Sequence, residues 1–243
     1  MQTIVREDTN GNGEHLGGAA RSRGNTVAHL ISELREGIRY GRYAPGQRLI
    51  EADLTRELGV SRGPLREAFR RLTAEGLIES IPNRGALVRR LSQQETRELF
   101  EIRAALEVLA AELAAKNIDS PGVRAKFEAA IAPIWTEASH DKPSTYFDEN
   151  KDFHLAIADA SGNTQLAILG HQLRSQLTFY QMSSMLRPQV IASSNREHRD
   201  LAKAILAGDA ALSADLMRKH FGSIATFWDE LPATVFRSGA DSE

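Results

Sequence analysis

The chain has 243 residues, 42% of them hydrophobic and 26% charged, with no cysteine and a formal net charge of −2. That length holds one large domain or two ordinary ones, and that balance excludes a disordered or fibrous chain. The lack of cysteine excludes a disulfide scaffold and any thiolate ligand or nucleophile; with no apolar run of about eighteen residues and no cleavable N-terminal segment, a cytoplasmic protein with no membrane partner is expected.

The charge is unevenly divided. Residues 1–23 are polar and glycine-rich, without periodicity, and read as a flexible arm. Residues 24–90 hold 12 arginines, no lysine and 8 acids, whereas the rest of the chain from Leu91 holds 15 basic and 21 acidic side chains. A basic block joined to an acidic one predicts two domains with different partners, over 24–90 and 91–232, followed by a tail over 233–243.

In the basic block, Val27, Leu30, Ile31, Leu34 and Ile38 recur at helical spacing and predict an amphipathic helix. Gly41 and Ala44-Pro45-Gly46 end it. A short helix is expected from about Glu51 to Leu58. Ser61 is placed to cap a third helix running to about Glu75, with Pro64 in its first turn and Leu65, Ala68, Phe69 and Leu72 inward. Two short apolar runs, Leu77 to Ile81 and Ala86 to Val88, flank the turn sequence Pro82-Asn83-Arg84-Gly85. Three helices and a hairpin describe a winged helix-turn-helix.

Arg62, Arg66 and Arg70 are spaced i, i+4, i+8 and share one face of the third helix, opposite Phe69 and Leu72. A helix fits the major groove of DNA, where arginine pairs with guanine edges or clamps phosphates. The N–H groups behind Ser61 suit a phosphate. Asn83 and Arg84 sit at the hairpin tip, before a glycine that lets backbone approach a groove. A solvated arginine face on an ordinary helix is the plainer alternative.

The run APGQRLIEADLTRELGVSRGPLREAFRRLTAEGLIESIPNRGALV closely resembles the N-terminal domain of GntR-family transcription regulators, over about residues 26–90. The resemblance implies DNA contacts at Ser61, Arg62, Pro64 and Arg66, and at Asn83, Arg84 and Gly85 in the wing. Ala52 stands where some members place a DNA-contacting arginine.

The acidic block reads as an all-α bundle of six to seven helices. Leu99, Ile102, Leu106, Leu109 and Leu113 form one stripe of a helix from about Gln93 to Asn117. His154 lies with Phe147, Asn150 and Ile157; His198 lines up with Ile191, Leu201 and Ile205; His220 lines up with Leu216 and Ile224. Three inward histidines from three helices, with an amide one turn before the first, form a candidate site for zinc or a nickel-like ion. Separate satisfied core histidines are the alternative.

YFDENKDFHLAIADASGN, NREHRDLAKAILAGD and LMRKHF resemble the helical FCD effector domain of the FadR-type branch of the same family. That resemblance implies a divalent metal on Asn150, His154, His198 and His220, with Asn150 in the place of an aspartate. It also implies that Arg103, in EIRAALE, faces an effector carboxylate; the residues themselves equally allow a surface pair with Glu107 at i+4. Arg174 has a similar edge position.

The expectation is a mainly α, homodimeric DNA-binding transcription regulator with no catalytic residue, a repressor of a palindromic operator. A small organic acid at the metal site would control its DNA affinity. The alternatives are a metal-dependent enzyme, with Asp152 or Glu197 near enough in sequence to act as base, and a regulator that answers to the metal itself.

Overall fold

The computed structural model describes residues 15–81, 85–135, 143–184, 188–228 and 231–237. Among them are nine α-helices and one small sheet. None of these helices is long and apolar enough to cross a membrane.

The N-terminal part holds α1 (His15–Arg39), β1 (Arg48–Leu49), α2 (Glu51–Glu57), α3 (Arg62–Ala74), β2 (Ile78–Ile81) and β3 (Gly85–Val88). α1 begins at His15, inside the stretch that composition assigns to the arm. Its Leu30, Ile31, Leu34 and Ile38 meet Leu65, Ala68, Phe69 and Leu72 of α3 in one core. Glu51 and Asp53 stand in the first turn of α2 and Arg56 in its last, each complementing the helix dipole. Gly76, at φ 72°, releases the chain from α3 into the hairpin.

The strands pair antiparallel in the order β1-β3-β2. β1 has no sequence signal, because two residues are too few for a period. Gly85 has a requirement inside the fold: a Cβ there would collide with the carbonyl oxygen of Leu49 in β1. The glycine is demanded by strand packing, not only by an approach to DNA.

The C-terminal part holds α4 (Gln93–Asn117), α5 (Val123–Ile131) running into a 3-10 turn (Ala132–Trp135), α6 (Pro143–Ala160), α7 (Thr164–Ser184), α8 (Pro188–Leu206) and α9 (Ala210–Trp228). A reciprocal capping box starts α4: Glu95 N–H donates to Ser92 Oγ at 3.1 Å, and Ser92 N–H donates to Glu95 Oε2 at 2.8 Å. α4 is the central helix, packed by α6, α7, α8 and α9.

The inward face of α4 is not the leucine stripe. Phe100, Arg103, Glu107, Ala110, Ala111 and Ala114 are buried, while Ile102 and Leu109 are 53% and 41% exposed. Alanines let α9 pack closely, and two charged residues occupy the middle of the buried face. Apolar periodicity marks neither.

The two parts meet along a polar seam. Arg39 of α1 pairs with Asp148 of α6 at 3.1 Å, and Tyr40 Oη donates to the same aspartate; beside them, within the N-terminal part, Arg35 pairs with Glu75 at 2.8 Å. From α7, the Gln176 amide donates to the Glu75 carbonyl at 3.1 Å.

Candidate functional site

The DNA-facing candidate lies on α3. Ser61 takes the N-cap position, with φ −80° and ψ 163°, but its side chain makes no capping bond. Its hydroxyl is exposed rather than folded back on the helix. Arg62, Arg66 and Arg70 are exposed on one face, and Pro64 is half-buried in the first turn. A cleft of about 680 Å³ runs between this face and the sheet; Arg48, Arg62, Arg66 and Arg70 line it, with Glu51 as its acid among the described residues. Arg48, on β1, is a basic residue the pattern of the sequence misses. Asn83 and Arg84 lie outside the described residues.

Glu51 orients Arg66. The Arg66 Nε–H donates to both oxygens of that carboxylate, at 2.9 and 3.0 Å. The Arg66 side chain is still 61% exposed and lines the cleft.

The second candidate is buried. His154 on α6, His198 on α8 and His220 on α9 are each 1% exposed. One ring nitrogen from each lies within 4.8 Å of the others. His198 Nε2 and His220 Nε2 are 3.4 Å apart. Two nitrogens bound tetrahedrally to zinc at about 2.0–2.1 Å would stand about 3.3 Å apart, so this pair already has the spacing.

Carboxylates set the tautomers. His154 Nδ1–H donates to Glu107 Oε2 at 2.9 Å, and His220 Nδ1–H donates to Glu197 Oε2 at 2.7 Å. Each bond leaves Nε2 with its lone pair, as metal-bound imidazoles require. Phe153 stacks on His198 at 4.3 Å, and Phe221 meets the other two rings edge-on. Asn150, one turn before His154, has a buried Oδ1 without a hydrogen-bond partner. Three converging imidazole nitrogens, with an orphaned amide oxygen one helical turn before the first of them, fit a divalent transition metal.

Burial dominates the protonation states. It pushes His154 down to about 4, despite Glu107, and holds His198 well below the ordinary histidine range together with the neighbouring imidazoles. Both rings are neutral near pH 7 and competent as ligands. Burial alone would raise the Glu107 carboxyl, but the His154 donor, Arg174 and Arg103 hold it well below the usual carboxylate range.

Arg103 is fully buried, which rules out the surface-pair reading. It does pair with Glu107, at 3.4 Å, and its guanidinium lies 5.3 Å from the Phe221 ring. Arg174 pairs with the same Glu107 oxygen at 2.7 Å. Glu107 therefore joins both candidate effector arginines to His154, a role its sequence context does not signal. Asp152 is exposed beside Lys151, and Glu197 is committed to His220, so neither is placed as a general base.

Residues 26–88 match the family described as "Bacterial regulatory proteins, gntR family", and residues 98–223 match the FCD domain family. The "Probable D-xylose utilization operon transcriptional repressor" of Paenarthrobacter nicotinovorans is 31% identical over 227 residues, covering 90% of this chain and 95% of the relative. The HTH-type transcriptional repressor GlaR of Escherichia coli is 28% identical, covering 77% and 88%. Escherichia coli McbR/YncC shares the fold, with a TM-score of 0.70 at 22% identity over 84% of this chain and 98% of that one. With these matches, the chain belongs to the GntR family of DNA-binding transcription regulators, with an FCD domain as its C-terminal part.

Proposed function

We propose that this regulator is a homodimeric repressor whose operator affinity responds to a small organic acid bound beside a zinc ion. Ser61, Arg62, Pro64, Arg66 and Arg70 would enter the major groove of each half of a palindromic operator, with Asn83, Arg84 and Gly85 of the wing contacting the backbone or the adjacent groove. Ile102 and Leu109 of α4, and Ile168 and Leu169 of α7, are exposed by 41–53% and offer an apolar face for the second copy.

The observation that carries the effector reading is the Glu107 carboxylate, held by Arg103, Arg174 and His154 in a buried network. An effector carboxylate would compete for these cations while a second oxygen reached the metal on Asn150, His154, His198 and His220. The bound metal would supply a Lewis-acidic anchor for that oxygen. Displacing Glu107 would reset α4 against α7, and α7 reaches α3 through Gln176. Operator affinity would change because the ligand prefers one of the two arrangements. Sugar-derived acids deserve a place among the candidates, given the relative named for D-xylose utilization.

The test is a thermal-unfolding panel of small carboxylic and sugar acids, with and without chelator, on wild type and His198→Ala. A ligand at a hundredfold excess over its Kd stabilises by about 2.7 kcal/mol. An acid whose effect vanishes with chelator and with the substitution supports the reading. If zinc alone raises stability and changes operator affinity while no acid acts, the metal is the signal and the organic-acid effector is abandoned.

A further inference from the structure

The seam between the DNA-binding module and the helical domain holds a cavity of about 250 Å³. Its cationic wall comes from both sides: Arg35 and Arg39 on α1, Lys151 on α6, and Arg174 with His171 on α7. Glu36 is the acid that lines it among the described residues. Among the described residues, the carboxylates paired with these cations are Glu75 for Arg35, Asp148 and Glu36 for Arg39, Asp148 and Asp152 for Lys151, and Glu107 for Arg174; of these, Glu36, 3.5 Å from Arg39, lines the cavity, and the other four do not. A guanidinium carries five N–H donors in a planar fork, so an arginine holding a carboxylate on one edge can hold another anion on a second.

The local field agrees. Burial lowers the His171 imidazole, and Arg35 and Arg174 lower it further, while Glu75 opposes them less strongly. The cavity is smaller than sites for drug-sized ligands, which begin at about 300 Å³. It suits an anion of a few heavy atoms with a concentrated charge.

We propose that this seam cavity binds a small dianion, a phosphate ester or short dicarboxylate, that bridges α1 of the DNA-binding module to α6 and α7 of the helical domain. Binding there needs no metal. It shares Arg174 with the effector reading above, and the candidate metal ligand Asn150 also lines it, but it does not rest on that reading. A ligand held from both sides would fix the orientation of the recognition helix relative to the helical domain, giving operator affinity a second chemical input.

Calorimetric titration of the full chain with inorganic phosphate, malonate and glucose 6-phosphate tests this, before and after chelation. The variants are Arg39→Gln, Lys151→Gln and His198→Ala, each with its unfolding midpoint measured. Saturable binding of at least one anion by wild type is expected, weakened at least tenfold in Arg39→Gln and Lys151→Gln and unchanged within twofold in His198→Ala or after chelation. Lys151 is partly exposed at the rim, so Lys151→Gln decides the matter if Arg39→Gln does not fold. Failure of all three anions to bind wild type overturns the proposal, as does binding insensitive to Lys151→Gln. Binding lost in His198→Ala would place the anion at the histidines and overturn the seam site while leaving the metal-site reading intact.

Discussion

The Gln176 side-chain amide of α7 donates to the backbone carbonyl of Glu75, the C-cap of the recognition helix, at 3.1 Å. Two residues earlier on the same helix, Arg174 holds Glu107, which holds His154. The end of the DNA-reading helix and the histidine cluster are thus linked through one stretch of α7. Gln176→Ala should leave metal affinity within about twofold while reducing the ratio of operator affinities with and without zinc several-fold, in line with coupling changes of about 0.5–2 kcal/mol along such networks. Operator titrations at fixed salt read this ratio, and an unaltered ratio would remove Gln176 from the route.

The Glu51 carboxylate fixes one edge of Arg66 and offsets its charge. Arg66→Ala should cost about 1–3 kcal/mol of operator binding. Glu51→Gln should act differently. It frees the guanidinium and removes a negative charge from the cleft, so affinity for scrambled DNA rises while discrimination for the operator falls. Paired titrations of operator and scrambled duplex at one salt concentration separate the two, and equal discrimination in Glu51→Gln would end the positioning role.

Glu197 is 29% exposed and bonds Nδ1 of the buried His220. Partners of this kind orient a metal-bound imidazole and raise its basicity, and their loss costs about 10–100-fold in metal affinity. Glu197→Gln should show that loss in a competition titration with a zinc indicator. The unfolding midpoint of the chelated protein should move little, because the carboxylate is partly solvated. Unchanged zinc affinity would refute a metal on His220.

The histidine cluster also sets an acid limit on the metal-free fold. His154 is depressed to about 4, and His198 lies well below its ordinary value of 6.5. Between those values and pH 6.5 the unfolded chain binds protons that the folded chain refuses, so stability is present above about pH 6.5 and falls as the pH drops. The loss from His154 approaches about 3 kcal/mol near pH 4, at about 1.4 kcal/mol per pH unit. Denaturant unfolding of chelated protein at pH 7.5, 6 and 5 should follow this trend, with a shallower slope in His198→Ala. A flat profile in wild type would mean that the cluster is not neutral when folded.

Much of this architecture is legible in the chain itself. Local periodicity predicts α3 and its arginine face, because Arg62, Arg66 and Arg70 need only 3.6 residues per turn to converge. Ser61, Gly76 and the Ser92–Glu95 capping box mark helix ends through bonds or dihedral angles within a few residues. His154, His198 and His220 can each be assigned an inward face from their own helix.

Their convergence to within 4.8 Å is a property of packing between three helices, and no local pattern encodes it. The same limit explains α4. Its leucines suggest a buried stripe, yet the buried face carries Arg103 and Glu107, since a charged residue is tolerated inside only where tertiary partners supply the opposite charge and hydrogen bonds. The sequence by itself determined the helices, the arginine face and the chemical types of the histidine cluster, all set by near neighbours. Tertiary structure alone decided that Glu107 ties Arg103, Arg174 and His154 together, that Gly85 must clear Leu49, and that a cationic cavity lies between the two parts, because each depends on which surfaces distant segments bring into contact.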